Sequence, residues 1–341
     1  MRDPAFWWRK AGLVSGLLTP LGAAYGSVAA KRMASAGARA GVPVICVGNF
    51  TLGGAGKTPT VIALAAMLRE AGERAFCLSR GYGGSVIGPK LVDAHGDSAA
   101  QVGDEALLLG RAAPTIVSRD RVAGVQVAEA QGASVVIMDD GLQNASLVKD
   151  FTLAVVDGRR GIGNGCVFPA GPLRAPLEPQ LARTDALLVM GDGTSAGDAV
   201  KRAATRGLPV FHGNLVPDVT AIADLKLKVR KVFAFAGIGD PEKFFATVEA
   251  AGLTVAQRRA LPDHHRFTVE EAAELIMEAE NDGLALLTTE KDRARMSGDQ
   301  LLAALAQRSH VLPVKLEVRE METLRAMLLQ RLRQRLSIPS P

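Results

Sequence analysis

Thr51-Leu52-Gly53-Gly54-Ala55-Gly56-Lys57-Thr58-Pro59 is the stretch that decides the fold. Ahead of it, Val42 to Val47 is an apolar run of the length of a strand buried on both faces. Behind it, Val61, Leu64, Ala65 and Leu68 recur on one helical face. Strand, glycine loop and helix in this order make a phosphate-binding loop. The glycines let backbone N–H groups turn towards a phosphate and the helix N-terminus adds its dipole. Lys57 reaches the β- and γ-phosphates of a nucleotide, and the Thr58 hydroxyl is a ligand for Mg2+. The usual GxxxxGK[ST] pattern has glycine where Thr51 stands, so the match departs at one position.

A second apolar run, Ser134 to Met138, ends in Asp139-Asp140. Beside a phosphate loop, a carboxylate at such a strand end holds the metal or its waters; without the loop, paired Asp residues are commonly turn formers. Further strands are expected at Ala75–Leu78, Thr115–Val117, Leu153–Val156 and Ala186–Val189, with helix-like stretches between several of them. The fold class is therefore α/β, a P-loop NTPase-type parallel sheet with helices on both faces. After Pro217 the pattern changes: a basic patch (Lys226, Lys228, Arg230, Lys231), a strand at Val232–Ala236, helices from Pro241 and over Val269–Glu280, a strand at Leu284–Leu287, then helices to the end. Three units follow: residues 1–35 as an N-terminal membrane segment, 36–217 as the nucleotide-binding core, 218–341 as a smaller α/β lobe. In the last helix Leu324, Leu328 and Leu332 form one stripe, expected to face a core. Gly103-Asp104-Glu105 opens a helical run, where an acid serves either as a cap or as a base or metal partner. In Asp263-His264-His265 a His in a polar loop is usually surface, but an Asp-His pair is also how a proton acceptor is oriented.

Composition narrows the setting. Over 341 residues the net charge is +5, 48% of residues are hydrophobic and 4% are aromatic. That leaves no stacking platform for single-stranded nucleic acid, so the basic excess points to phosphates or an anionic membrane. Cys46, Cys77 and Cys166 are too scattered for a disulfide framework or a zinc site, which suggests a reducing compartment. Ala11 to Ala30 carries no charge and is bracketed by Arg9-Lys10 and Lys31-Arg32, with Phe6, Trp7 and Trp8 ahead of it. Gly12, Gly16, Pro20, Gly22 and Gly26 dilute the run, so it reads as a segment lying in the membrane interface rather than a signal peptide or a spanning helix. Ordinary core packing is the alternative.

The joint pattern closely resembles the lipid A 4′-kinase family, the tetraacyldisaccharide 4′-kinases. It is carried by Val47 to Pro59, Ser79-Arg80-Gly81-Tyr82-Gly83, Val102-Gly103-Asp104-Glu105, Asp139-Asp140-Gly141-Leu142-Gln143, Pro169 to Arg174, Pro262-Asp263-His264-His265 and Thr288-Thr289-Glu290-Lys291-Asp292. The resemblance implies transfer of the γ-phosphoryl of ATP to the 4′-hydroxyl of a tetraacyldisaccharide 1-phosphate, forming lipid IVA. It implies Lys57 and Thr58 on nucleotide and Mg2+, Asp139 as the Walker-B-type acid, and Asp104 as base assisted by His264; Asp140 at the same strand end and Glu105 beside Asp104 are read as further Mg2+ ligands. Arg80, Tyr82, Arg121, Gln143 and Arg174 are the implied substrate ligands. The implied location is peripheral, on the cytoplasmic face of the bacterial inner membrane; no nucleic acid and no obligate protein partner are expected. Two departures stand out, Asn144 where the family commonly has His and Ala175 where it commonly has Glu. From another class, a guanine-reading switch is disfavoured because no Asn/Thr-Lys-x-Asp string follows the loop. An ATPase that moves or inserts a cargo, in the manner of a metal chaperone, remains the competing reading.

Overall fold

The structure, a computed structural model, describes residues 3–224, 231–297 and 299–336. The first sheet has nine strands: β1 (Val44–Asn49), β2 (Ala75–Ser79), β3 (Lys90–Leu91), β4 (Thr115–Val117), β5 (Val135–Asp139), β6 (Phe151–Asp157), β7 (Ala186–Met190) and β8 (Val210–Pro217) come before the second sheet in the chain. The four strands of that second sheet are β9 (Lys231–Ala236), β10 (Thr254–Ala260), β11 (Ala285–Thr288) and β12 (Ser309–Val311), after which β13 (Val314–Val318) rejoins the first. The spatial order is β13-β8-β7-β6-β1-β5-β2-β4-β3, with all neighbours from β8 to β4 parallel and the two outermost strands antiparallel. β1 is buried along its whole length because helices cover both faces. Ile45 and Val47 pack with Val61, Leu64 and Leu68 of the helix Lys57–Glu70, whereas Val44 packs towards Val125 and Ala128 and Cys46 towards Leu187.

The topology places the site. The chain leaves β1 for β2, returns to β5, and only then builds the other half outward from β6, so the strand order reverses at β1 and opens a crevice at its C-terminal end. In the β1–β5 register Val47 lies opposite Asp139, which sets the acidic strand end beside the phosphate loop, as the sequence predicts.

Besides the short strands β3 and β12, which the sequence reading did not contain and the second of which interrupts the helices expected to the end, three features depart from that reading. β8 was not expected because His212, Gly213 and Asn214 interrupt its apolar run. β10 was not expected because it is the outermost strand of the second sheet and alternates exposed with half-buried residues, with Arg258 and Arg259 paired to Glu249 and Glu278. The third concerns the boundary at residue 218. The second sheet, β10-β9-β11-β12, is parallel throughout and forms the expected smaller lobe, but the chain does not end there. β13 pairs antiparallel with β8, and the helix Met321–Leu336 lays Leu324, Leu328 and Leu332 into the core of the first sheet. The leucine stripe does face a core, that of the other lobe, because β13 returns the chain to the open edge of β8. Of the basic patch, Lys226, Lys228 and Arg230 lie outside the described residues; Lys231 opens β9.

The N-terminal segment is one continuous helix, Leu13–Met33, through Gly16, Pro20, Gly22 and Gly26. At about 100° per residue its buried positions Ser15, Gly22, Gly26 and Met33 share one face, and Leu13, Val14, Leu17, Leu21, Tyr25 and Val28 share an exposed arc of about 120° opposite. The buried face is small because the backbone comes close: a Cβ on Gly22 would sit 2.8 Å from the Val167 carbonyl, and one on Gly26 would sit 3.3 Å from the Pro176 ring. By length and composition alone the helix could cross a bilayer, with mean hydropathy 1.4 and 17% of its apolar window buried.

Candidate active site

The phosphate loop is shaped by two glycines in the left-handed region, Gly53 (φ 94°) and Gly56 (φ 93°). Thr51 needs no such freedom: it is extended and pairs as an isolated bridge with Leu173, which explains why the departure from glycine is tolerated. The Pro169–Arg174 segment braces the loop from outside, through Leu52 N–H to the Pro172 carbonyl at 2.8 Å and Arg174 N–H to the Phe50 carbonyl at 2.9 Å. From inside, the fully buried Asn49 donates to the carbonyls of Thr51 (2.8 Å) and Gly53 (3.3 Å) and accepts from Lys57 Nζ at 3.2 Å. Asn49, which the sequence reading did not single out, thus ties the end of β1 to both the loop and its lysine.

Lys57 also lies 3.7 Å from Asp140, whose φ of 53° swings its carboxylate back over the loop. Arg174 Nη1 donates to both Asp140 oxygens at 2.9 and 2.8 Å while its Nε donates to the Thr51 carbonyl at 2.8 Å. Burial alone would raise the Asp140 carboxyl, but Lys57 and Arg174 outweigh it and hold the group below its ordinary range. Asp139 is the opposite case. Burial, with Glu105 and Asp140 as like-charged neighbours, pushes its carboxyl up to about 7, and its Oδ1 is buried without a hydrogen-bond partner among the described residues. Glu105, expected beside the metal, holds Lys291 of the second lobe at 2.6 Å.

Asp104 and His264 come from different lobes and meet: His264 Nδ1 is 3.4 Å from Asp104 Oδ2, and His264 takes φ 56° to get there. The Asp104 side chain is 6% exposed and that of His264 42%, so the imidazole stands at the cleft wall with the carboxylate behind it. Burial works to raise the Asp104 carboxyl, yet the hydrogen bonds from His264 and Arg295 and the charges of Arg295 and Lys291 keep it ionised well below the usual range. The Asp104 bond in turn raises His264 above its ordinary value, against the effect of burial. Arg295 and Lys291 were both missed as site residues; only the string around Asp292 marked their neighbourhood.

A cleft of about 2100 Å³ collects these groups. Lys57, Thr58, Asp139 and Glu105 line it from the first lobe and His264 and Lys291 from the second; Tyr25, Val28 and Arg32 of the N-terminal helix line it as well. The expected substrate ligands divide. Arg80 and Tyr82 line the cleft and are exposed, with the Tyr82 ring edge-on to His264 at 5.7 Å. Arg121 and Gln143 line it too, but both side chains make hydrogen bonds within the protein. Arg121 donates to the Ser118 carbonyl at 3.0 Å and reaches the Asp139 carbonyl at 3.5 Å; Gln143 donates to the Asn49 carbonyl at 2.8 Å and to Gln180 at 2.7 Å. Ala175 is fully buried, so the position that departs from the family presents no polar group to the cleft. Asn144 closes a local turn by accepting from Ser146 N–H at 2.9 Å.

Comparison with known proteins identifies the family. The family model for tetraacyldisaccharide-1-P 4′-kinase (LpxK) matches residues 14–333. The tetraacyldisaccharide 4′-kinase of Rhodopseudomonas palustris (strain BisB5) is 54% identical over 334 residues, covering 98% of both chains. That of Nitrobacter hamburgensis is 54% identical over 332 residues, covering 97% of this chain and 98% of its own. Among solved structures, LpxK from Aquifex aeolicus, crystallised in complex with ATP, superposes with a TM-score of 0.70 at 26% identity, over 94% of this chain and 100% of the other. On that family match and those identities the chain belongs to the tetraacyldisaccharide-1-P 4′-kinase family, the ATP-using kinases of lipid A biosynthesis.

Proposed function

We propose that the cleft transfers the γ-phosphoryl group of ATP to the 4′-hydroxyl of a tetraacyldisaccharide 1-phosphate as follows. The nucleotide phosphates lie along Thr51 to Thr58, with Lys57 neutralising charge on the β- and γ-phosphates. The bond between the γ-phosphorus and the β–γ bridging oxygen breaks, a bond from the 4′-oxygen to that phosphorus forms, and ADP leaves. The hydroxyl proton goes to the Asp104–His264 pair. Because His264 stands at the cleft wall and Asp104 is buried behind it, we assign proton acceptance to the imidazole and orientation to the carboxylate. This exchanges the two roles implied by the sequence resemblance. The observation that carries the reading is that one cleft joins a phosphate loop, the His264 of a cross-lobe Asp–His pair and the apolar helix.

Thr58 and Asp139 would hold Mg2+. The orphaned, buried Asp139 Oδ1 among like charges fits a cation that completes its shell with phosphate oxygens and water. When bound, Mg2+ supplies charge neutralisation on the phosphates. For the membrane, the helix Leu13–Met33 docks along one side from Ser15, which accepts from Asn164 at 2.9 Å, to the buried Met33, and leaves Leu13, Leu17 and Leu21 of its apolar arc exposed. A helix held lengthwise by the protein lies in the interface, flanked by basic residues, on the cytoplasmic face where ATP is available. The lipid acceptor then enters the cleft past Tyr25 and Val28.

The test is kinetic. With γ-labelled ATP and a tetraacyl disaccharide 1-phosphate in detergent, Asp104→Ala and His264→Ala should each lower kcat by a factor on the order of 10² or more while the KM for ATP stays within a few-fold. If either substitution impaired only ATP binding, the pair would have no part in accepting the proton.

A further inference from the structure

Arg295 ends the short helix Glu290–Arg295 of the second lobe, and its side chain is 6% exposed. The guanidinium is used on two opposite edges. Nη1 is anchored in its own lobe, donating to the Gly237 carbonyl at 2.7 Å and to Asp292 Oδ1 at 3.0 Å. Nε donates across the lobe boundary to Asp104 Oδ2 at 2.9 Å, and Nη2 donates to the same oxygen. Nη2 also lies 3.3 Å from His264 Nδ1.

The anchor is itself fixed. Asp292 is fully buried and accepts from Gly237 N–H at 3.1 Å through both oxygens and from Thr289 Oγ1 at 2.6 Å. The Gly237 carbonyl that receives Arg295 also receives His264 N–H at 3.1 Å. This approach requires glycine, because a Cβ on Gly237 would lie 2.9 Å from His265 Cβ and 3.0 Å from Asp292 Oδ1. One carbonyl therefore ties the backbone of His264 to the guanidinium that grips Asp104.

We propose that Arg295 is a positioning residue, which holds Asp104 of the first lobe in register with His264 of the second so that the two form a pair only while this bridge is made. Among the described residues the hydrogen bonds and ion pairs of Arg295 go to Asp104, Gly237, Asp292 and His264, not to the phosphate loop. Its planar fork is what the task requires. A lysine carries the charge but cannot engage Gly237, Asp292 and Asp104 together in fixed directions. The inference rests on the reading of Asp104 and His264 as the proton-accepting pair.

The experiment compares the full-length wild type with Arg295→Lys, Arg295→Ala, Asp104→Asn and the Arg295→Lys/Asp104→Asn double variant, measuring thermal unfolding, kcat and the KM for ATP in the lipid phosphorylation assay. Arg295→Lys should lower kcat about 10-fold or more with the KM for ATP changed less than about 3-fold, and in the Asp104→Asn background the same substitution should change kcat by less than about 3-fold, because residues acting as a unit are not independent. A millimolar guanidinium salt should restore part of the kcat of Arg295→Ala without moving its unfolding temperature. A folded Arg295→Lys with wild-type kcat would overturn the proposal. So would losses that multiply fully with those of Asp104→Asn, or the failure of both Arg295 variants to fold, which would make the residue structural. An Asp104→Asn variant with unchanged kcat would instead remove the proton-accepting pair on which the inference depends.

Discussion

Replacing Leu13, Leu17 and Leu21 together by Gln separates membrane attachment from chemistry. These side chains are 89%, 81% and 60% exposed, equivalent to more than two leucines standing free of any protein contact. A fully buried leucine side chain is worth about 1.5–3 kcal/mol of transfer from water, so full immersion of this area would contribute about 3–7 kcal/mol. Even an interfacial helix that buries only the lower end of that range loses a factor on the order of 10² in membrane partitioning. The folded protein loses almost nothing, since the helix is held by its opposite face. The assay is sedimentation with vesicles containing anionic phospholipid, run beside thermal unfolding and phosphorylation of acceptor lipid in detergent. The triple variant should stay in the supernatant, unfold within a few degrees of the wild type and keep most of its detergent activity. Unchanged pelleting would show that attachment resides elsewhere; a large drop in unfolding temperature would show that the arc packs against protein.

Other substitutions address the remaining links. Lys57→Ala removes the cation that faces the nucleotide phosphates while Arg174 still holds Asp140, so lipid phosphorylation should fall by a factor on the order of 10² or more in a protein of near-normal unfolding temperature. Because the bond from Asp104 raises His264 above its ordinary value, and a proton acceptor works only when neutral, kcat should fall as pH drops through that raised value; Asp104→Asn should move this acid limb to lower pH while reducing the plateau. The same shift carries a stability term of known sign: the contribution from charged His264 is full below its unfolded value and is lost as pH rises through the raised one. Leu328→Ala, in the C-terminal helix, should cost about 2–5 kcal/mol of unfolding free energy, measured by denaturant titration, because Leu328 is fully buried in the core of the first sheet.

What could be read from the chain was whatever rests on local pattern. The phosphate loop between strand and helix, and Asp139 at the end of a buried strand, are legible because a parallel strand covered on both faces is continuously apolar and because the loop needs its glycines. The Leu324, Leu328 and Leu332 stripe showed that its helix faces a core. Which core depends on β13 pairing with β8, and no local signal in Val314–Val318 specifies a partner about a hundred residues earlier. β10 escaped for the complementary reason: an outermost strand with salt-bridged arginines lacks the apolar signature of its neighbours. In the site, Asp104 and His264 were found through motif likeness, but their order from cleft wall to interior is a matter of packing. Arg295 was marked only by its nearness to the string around Asp292, because its grip on Asp104 spans 191 positions and joins two lobes.

The most direct test of the central claim is a product balance. The purified protein is incubated with γ-labelled ATP and a tetraacyl disaccharide 1-phosphate in detergent, and ADP, inorganic phosphate and lipid are separated and the labelled lipid located by mass spectrometry. We expect ADP and labelled lipid to appear in equal amounts, with the new phosphate on the 4′-oxygen and little free phosphate. Equal amounts of ADP and inorganic phosphate, with the lipid unlabelled, would contradict phosphoryl transfer to this acceptor and return the cleft to an ATPase.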